Sequence, residues 1–321
     1  MKRPVPTIAS AAMLAALTLA GVGLAGCASS GSTAAAPAAS GSPSEAATFP
    51  VTEDGTTLSA KPTHIISMSP TATDMLFTIG AGSQVIAVDK NSDYFGANPP
   101  ATPPPADIDA FQPNAETIAA KSPDLVVLSD DTNKIKEALV KLKIPVYMAP
   151  AATTIDDTYH QMTALGALTG HPTTAAAAVA AEKKAIGDDL AKLKPRTKPL
   201  TFYYELDQTF YSVTSKTFIG SMFAMAKMTN IADAGNASNP YPQLSAEVII
   251  KANPDVIFLA DTDCCQQSEA TVAKRPGWST IGAVKNQQVV PIPDDVASQW
   301  GSRVPKLLDT IVTESNAAPT P

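Results

Sequence analysis

The chain has 321 residues, 45% of them apolar, with 23 Lys and Arg against 30 Asp and Glu, a formal net charge of −7. An acidic balance of this size excludes the basic electrostatic footprint by which proteins hold nucleic acid, and the length suffices for one large core or two lobes of ordinary size. Of three cysteines, one lies near the N-terminus and two are adjacent, a spacing that excludes both a disulfide-dense scaffold and a zinc site.

Lys2 and Arg3 precede an uncharged apolar stretch over residues 11–24. This is the layout of a secretory signal, and the stretch is short for a membrane span. It ends in Leu24-Ala25-Gly26-Cys27, which resembles the lipobox of bacterial lipoproteins. The resemblance implies a signal peptide over 1–26 and a lipid on Cys27; the alternative is an ordinary secretory signal with an incidental cysteine. Loss of Lys2 and Arg3 with the signal leaves 21 basic against 30 acidic residues, a charge of −9. Residues 27–55 begin as Ala, Ser, Gly, Pro and Thr with almost no bulky apolar side chain, so this segment reads as a disordered tether that cannot offset its ordering entropy. No later segment offers about 18 consecutive apolar residues. The expected location is therefore extracytoplasmic, on the outer face of the cell membrane, anchored through Cys27 alone.

The first lobe is expected over 56–171. His64-Ile65-Ile66-Ser67-Met68 reads as a buried strand, Ser69 as a helix N-cap, Pro70 as the first helical residue, and Met75, Leu76 and Ile79 as the apolar face of a helix stopped at Gly80. Short apolar runs at 85–88, 125–128 and 146–148, separated by helical patterns, are those of a parallel sheet covered on both faces. An Ala-rich, proline-free segment over 173–194 predicts a helix of about 33 Å, long enough to bridge two lobes and assigned the interval 172–195. Strand patterns resume at 200–204, 256–259 and 289–292, placing a second α/β lobe over 196–315 and leaving 316–321 as a disordered tail.

An internal repeat supports two lobes of like architecture. Ala115-Glu116-Thr117-Ile118, running on to Pro123-Asp124 and Leu128, aligns with Ala246-Glu247-Val248-Ile249, running on to Pro254-Asp255 and Leu259. The glutamate precedes the proline by the same interval in both, so a short helix, a Pro-Asp turn and a buried strand recur once per lobe. The fold expected is two similar α/β lobes with mainly parallel sheets, joined by a single long α-helix, with a ligand cleft between them at the carboxyl ends of the strands.

These residues resemble the periplasmic-binding family for ferric siderophores and vitamin B12, the substrate-binding lipoproteins of ABC importers. The resemblance runs from about Lys61 to Thr313. It is carried by residues 67–76, Ser92-Asp93-Tyr94, Pro113-Asn114-Ala115-Glu116, Tyr241-Pro242-Gln243-Leu244-Ser245, Arg275-Pro276-Gly277-Trp278, and Trp300 with Arg303. It implies capture of a metal chelate and delivery to an ABC permease, with no permanently bound cofactor, a monomeric state, and one glutamate per lobe, Glu116 and Glu247, docking on permease arginines. The plain alternative for each glutamate is a first-turn residue favoured by the helix dipole.

A chelate with flat, partly apolar sides calls for aromatic faces and a few polar anchors. By match to the family pattern the expected contacts are Tyr94, Phe111, Phe210 or Tyr211, Tyr241, Trp300 and Arg303; for each aromatic the alternative is core packing, and for Arg303 a helix-start cap. One candidate cation suits a neutral or weakly charged hydroxamate chelate or a corrinoid better than a triply charged catecholate complex. Cys264 and Cys265 are read as a vicinal disulfide stiffening a turn, or as two small reduced residues.

Three other functions compete with this reading. A bare zinc or manganese site needs three or four convergent ligands, and His64, His160 and His171 are dispersed, so no metal ligand is assigned. An enzyme needs a nucleophile–base set or a phosphate loop, and no G-x-S-x-G, P-loop or G-x-G-x-x-G after a strand occurs; no catalytic residue is assigned. A surface lipoprotein that senses ligand without a permease remains open, distinguished by the role of Glu116 and Glu247.

Overall fold

The computed structural model describes residues 48–93, 95–96, 99–235 and 238–319. The expected signal peptide, Cys27, most of the expected tether and Tyr94 lie outside them. In chain order a hairpin of β1 (Val51–Glu53) and β2 (Thr56–Leu58) leads to β3 (Ile65–Met68), α1 (Pro70–Thr78), β4 (Val85–Asp89), β5 (Ala106–Ile108), α2 (Ala115–Ala119), β6 (Leu125–Leu128), α3 (Ile135–Lys141), β7 (Val146–Met148) and α4 (Ile155–Thr169). After α5 (Pro172–Ala191) come β8 (Thr201–Glu205), α6 (Phe218–Met225), β9 (Thr229–Asn230), α7 (Ala246–Ala252), β10 (Val256–Leu259), α8 (Thr262–Cys265), α9 (Glu269–Ala273), α10 (Gly282–Lys285), β11 (Val289–Pro291), α11 (Asp294–Ala297) and α12 (Val304–Ala317).

Two all-parallel sheets result, ordered β5-β4-β3-β6-β7 and β11-β10-β8-β9. Both are buried on each face, so alternate residues of one strand enter different cores. Leu125 and Val127 join one cluster, while Val126 and Leu128 join another with Ile118 of α2. In the second lobe Phe202 and Tyr203 divide in the same way.

The sequence repeat becomes a shared device. Asn114 caps α2 by accepting from Thr117 N, and Ser245 caps α7 by accepting from Val248 N. Ser122 and Asn253, before the two prolines, both adopt positive φ. Asp124 then accepts from the backbone N of Thr63 and His64 (2.7 and 2.8 Å), and Asp255 from Thr201 N and Oγ1 (2.7 and 2.8 Å). Each aspartate fixes the entry of the neighbouring strand, β3 or β8.

The 20-residue α5 is about 30 Å long. It packs on α4 of the first lobe and α12 of the second, and a single apolar cluster runs from Ile65 and Met75 through Leu165, Ala175 and Val179 to Leu307, Phe223 and Phe258. The lobes share a core. Two boundaries differ from expectation. Residues 51–55, assigned to the tether, form β1 and its turn, because Thr56 Oγ1 donates to Val146 O (2.8 Å) at the sheet edge and Asp54 meets Tyr147 and His160. At the other end α12 continues through Ala317, since Asn316 accepts from Lys194 N (2.9 Å) and donates to Lys192 O (2.9 Å) at the end of α5.

Glu182 on α5 is 5% exposed, and neither carboxyl oxygen has a hydrogen-bond partner among the described residues. Burial, with the charge of nearby Asp74, pushes this carboxyl from the ordinary 4.5 up to about 8. Between those values the folded chain keeps a proton that the unfolded chain has released. Stability therefore falls as pH rises through this window, by at most about 1.4 kcal/mol per pH unit. Glu182→Gln is expected to leave the melting temperature near pH 5 unchanged and raise it at pH 8; an equal shift at both pH values would show that Glu182 does not titrate in this range.

Candidate functional site

In the first lobe the carboxyl ends of β3, β4, β5 and β6 surround a cavity of about 330 Å³ lined by Pro70, Asp89, Asn91, Phe111, Ser129 and Asp130, among others. Asp89 is fully buried, and burial holds its carboxyl above the usual range although Ser92 Oγ (2.6 Å) and Asn91 N (2.9 Å) donate to it. Asp109, just past β5, accepts from Phe111 N (3.1 Å), Gln112 N (3.0 Å) and Lys90 Nζ (3.1 Å). The Gln112 amide and Lys90 hold its carboxyl below the usual range. This turn leaves the Phe111 side chain 76% exposed at the cavity mouth.

The second lobe builds its rim differently. At the end of β8 the fully buried Glu205 takes both arms of Arg275 (2.7 and 2.5 Å), and Arg275 also donates to Gln267 Oε1 (2.8 Å). The guanidinium stands 4.5 Å from the Trp278 ring and 5.4 Å from that of Phe210. It thereby anchors the loop 206–211, which closes through Leu206 N to Tyr211 O (2.9 Å). Tyr211 pairs with Gln243, and Gln243 Nε2 donates to Thr209 O (3.0 Å). The product is a rim with Tyr211 41% and Tyr241 51% exposed. Behind it Asp261 is fully buried, neither of its carboxyl oxygens has a hydrogen-bond partner among the described residues, and burial with the Glu205 charge pushes its carboxyl up to about 7.

Phe111, Tyr211 and Tyr241 thus present exposed rings at the carboxyl edges. Phe210 does not: its ring is spent on Trp278, 5.5 Å away, and on Arg275. Trp300 and Arg303, expected as ligand contacts, make their protein contacts at the lobe junction. Trp300 Nε1 donates to Gln161 Oε1 (3.2 Å) and its carbonyl accepts from Thr158 Oγ1 (2.8 Å), both on α4. Arg303 is buried and ion-paired with Asp295. Between them Ser302 N and Oγ both donate to Asp74 of α1 (2.7 Å each), and a Cβ on Gly301 would collide with that carboxylate. Glu116 and Glu247 are exposed in the first turns of α2 and α7, and a hydrogen bond from Ser245 holds the Glu247 carboxyl below its usual value.

Cys264 and Cys265 are free thiols in a short helical turn, the reduced one of the two states read from the sequence. The histidines lie apart, His64 beside Asp124, His160 on Asp54 and His171 on Gln84. Among the described residues no group of three His, Cys, Asp or Glu is placed to hold a metal ion, and no helix is long and apolar enough to cross a membrane.

Residues 65–296 match the model of the family described as Periplasmic binding protein. The chain belongs to the periplasmic binding protein family. Its members are transport binding proteins rather than enzymes. A cobalamin-binding protein of Halobacterium salinarum is 32% identical over 224 residues, covering 66% of this chain and 59% of the relative, so the match spans less than two thirds of that protein. An uncharacterised ABC transporter substrate-binding lipoprotein of Bacillus subtilis is 28% identical over 92% of this chain and 93% of its own length. The crystal structure of the periplasmic vitamin B12-binding protein of Vibrio cholerae superposes with a TM-score of 0.64 at 22% identity, covering 79% of this chain and 97% of that one; this likeness concerns the fold.

The resemblance drawn from the sequence and the two-lobe α/β architecture both hold. Glu205 and Arg275 were missed as a pair that builds the rim. The Arg275-Pro276-Gly277-Trp278 motif was a signal for half of it, while Glu205 ends a strand with no local mark of its partner. Arg275→Met is expected to cost about 3–5 kcal/mol by leaving Glu205 buried and unpaired, read from the urea midpoint at constant slope. A midpoint within the error of wild type would show the pair to be dispensable.

Proposed function

We propose that the chain is the substrate-binding lipoprotein of an ABC importer, tethered by lipid on Cys27, and that it captures an uncharged or cationic metal chelate between the lobes. A hydroxamate ferric siderophore or a corrinoid has that chemistry. The observation that carries the charge assignment is the balance at the carboxyl edges. Asp89 and Asp130 stand at the first-lobe edge and Asp261 behind the second-lobe rim, whereas the edge cations Lys90 and Arg275 are already paired with Asp109 and Glu205. A polyanionic ligand would find these two cations engaged in place of the convergent cations it requires. Phe111 on one lobe and Tyr211 with Tyr241 on the other supply faces for the apolar sides of the chelate. Glu116 and Glu247 supply one carboxylate per lobe for arginines of the permease.

Binding is read on the soluble chain from Ala28, which lacks the lipidated cysteine. Intrinsic-fluorescence titration is expected to saturate with cyanocobalamin or with one ferric hydroxamate, and to stay flat with a ferric tris-catecholate. Tyr241→Ala is expected to weaken that binding about tenfold, equivalent to about 1.4 kcal/mol. Saturable catecholate binding would overturn the charge argument, and zinc binding with no chelate response would return the bare-metal reading. In cells, Glu116→Ala combined with Glu247→Ala is expected to abolish most uptake while the purified variant binds its chelate normally; undiminished uptake would leave a sensing lipoprotein without a permease as the better account.

A further inference from the structure

The turn at the carboxyl end of β10 carries two adjacent thiols that chelate capture does not use. Cys264 is exposed and Cys265 half-buried, and both are free. Their turn is held from the end of β11 by one carboxylate. Asp294 accepts from Cys264 N (2.8 Å), Asp263 N (3.0 Å) and Thr262 Oγ1 (3.4 Å), and Asp263 Oδ2 accepts in return from Asp294 N (3.1 Å). On the far side Gln267 N donates to Asp261 O (3.2 Å), and Gln267 Oε1 accepts from Arg275 (2.8 Å). The thiols therefore lie on a short segment fixed at one end by Asp294 and at the other by the pair that builds the second-lobe rim.

Adjacent residues in a helix project their side chains about 100° apart around the axis. Cα atoms across a trans peptide are about 3.8 Å apart, against about 4.4–6.8 Å for residues joined by a disulfide. A bond between Cys264 and Cys265 thus closes a strained eight-membered ring and requires the turn to leave helical geometry. The helical turn held by Asp294 and the vicinal disulfide exclude one another.

We propose that Cys264 and Cys265 are a reversible redox site whose oxidation to a vicinal disulfide by a low-molecular-weight disulfide detaches the turn 262–265 from Asp294 and reshapes the rim of the cleft. The step balances. One cysteine, its proton released to solvent, attacks the external disulfide and expels one thiolate; the second attacks the resulting mixed disulfide and expels the other. Two protein thiols are oxidised, one external disulfide is reduced to two thiols, and the two protons released are those the leaving thiolates take up. The compartment outside the cytoplasmic membrane is one where such oxidants persist. The hydrogen bond with Cys265, followed by burial and the adjacent Asp294, pushes the Cys264 thiol up to about 12, so thiolate is scarce at neutral pH and the exchange accelerates as pH rises. The inference does not depend on which chelate is carried.

The test equilibrates the full chain with hydroxyethyl disulfide and its reduced form, quenches with acid, and weighs the tryptic peptide that contains both cysteines. Hydrogen exchange across residues 262–267 is followed in the same samples. The expected result is a peptide lighter by two hydrogens, a monomeric protein, faster exchange across the turn, and full reversal by dithiothreitol. Asp294→Asn, which weakens the hold on the turn and removes the charge beside the Cys264 thiol, is expected to shift the equilibrium towards the disulfide by at least about tenfold. Both thiols surviving at equilibrium, oxidation only to intermolecular dimers, a disulfide with unchanged exchange across the turn, or no shift in Asp294→Asn would each overturn the proposal.

Discussion

The rest of the molecule depends on one buried carboxylate, Asp74. It lies on α1, directly behind the strand whose end opens the first-lobe cavity, and it receives both the amide and the hydroxyl of Ser302 from the other lobe. Burial pushes its carboxyl up while Ser302 and the nearby Arg303 oppose that shift. Removing such a group from water is costly unless its lone pairs are used, so the segment 300–303 is constrained to lie against α1 and α4. Gly301 admits that approach because it has no side chain to displace the carboxylate. The lobes are therefore joined twice, covalently along α5 and non-covalently through this clasp, with one apolar cluster passing beneath both.

With the junction fixed, each lobe needs only to shape its own rim, and the two lobes do so by different chemistry. An Asp109 turn is enough to set Phe111 outward, because a short loop with two backbone donors closes on one carboxylate. The longer excursion from β8 has more entropy to lose. It is held by a buried bidentate ion pair backed by two aromatic faces. Such a pair adds little net stability against an apolar substitute, yet it permits one arrangement of the loop. That asymmetry places an ionic anchor behind Tyr211 and a backbone turn behind Phe111.

The lobes, their strands and the glutamate-bearing helices were legible in the sequence because each rests on local pattern. Ser69 and Pro70 mark the start of α1, and the same Pro-Asp spacing marks both strand entries. What was not legible depends on partners far apart in the chain. Nothing near Trp300 and Arg303 in the sequence showed that α4 and Asp74 would engage the segment between them. Phe210 and Tyr211 were indistinguishable by type, and only the position of Trp278 and Arg275 turned the first inward and left the second exposed. Residues 51–55 were read with the Ala-rich tether because the hairpin they open is anchored by Val146, Tyr147 and His160, all distant in sequence.

A shared core also constrains how occupancy is communicated under the proposed function. Where lobes are separate bodies on paired loops, a ligand draws them together and changes the separation of any two groups on their surfaces. Here α5, the clasp and the common apolar cluster oppose that motion, so the separation of Glu116 and Glu247 is set by the protein whether or not the cleft is filled. A permease reading only those two carboxylates would then bind both states alike, and a ligand with equal affinity in two states shifts neither. Discrimination has to come from parts that the ligand touches and the shared core does not hold. The loops carrying Phe111, Tyr211 and Tyr241 meet that description: they lie at the carboxyl edges, they carry exposed rings, and their anchors are local to one lobe.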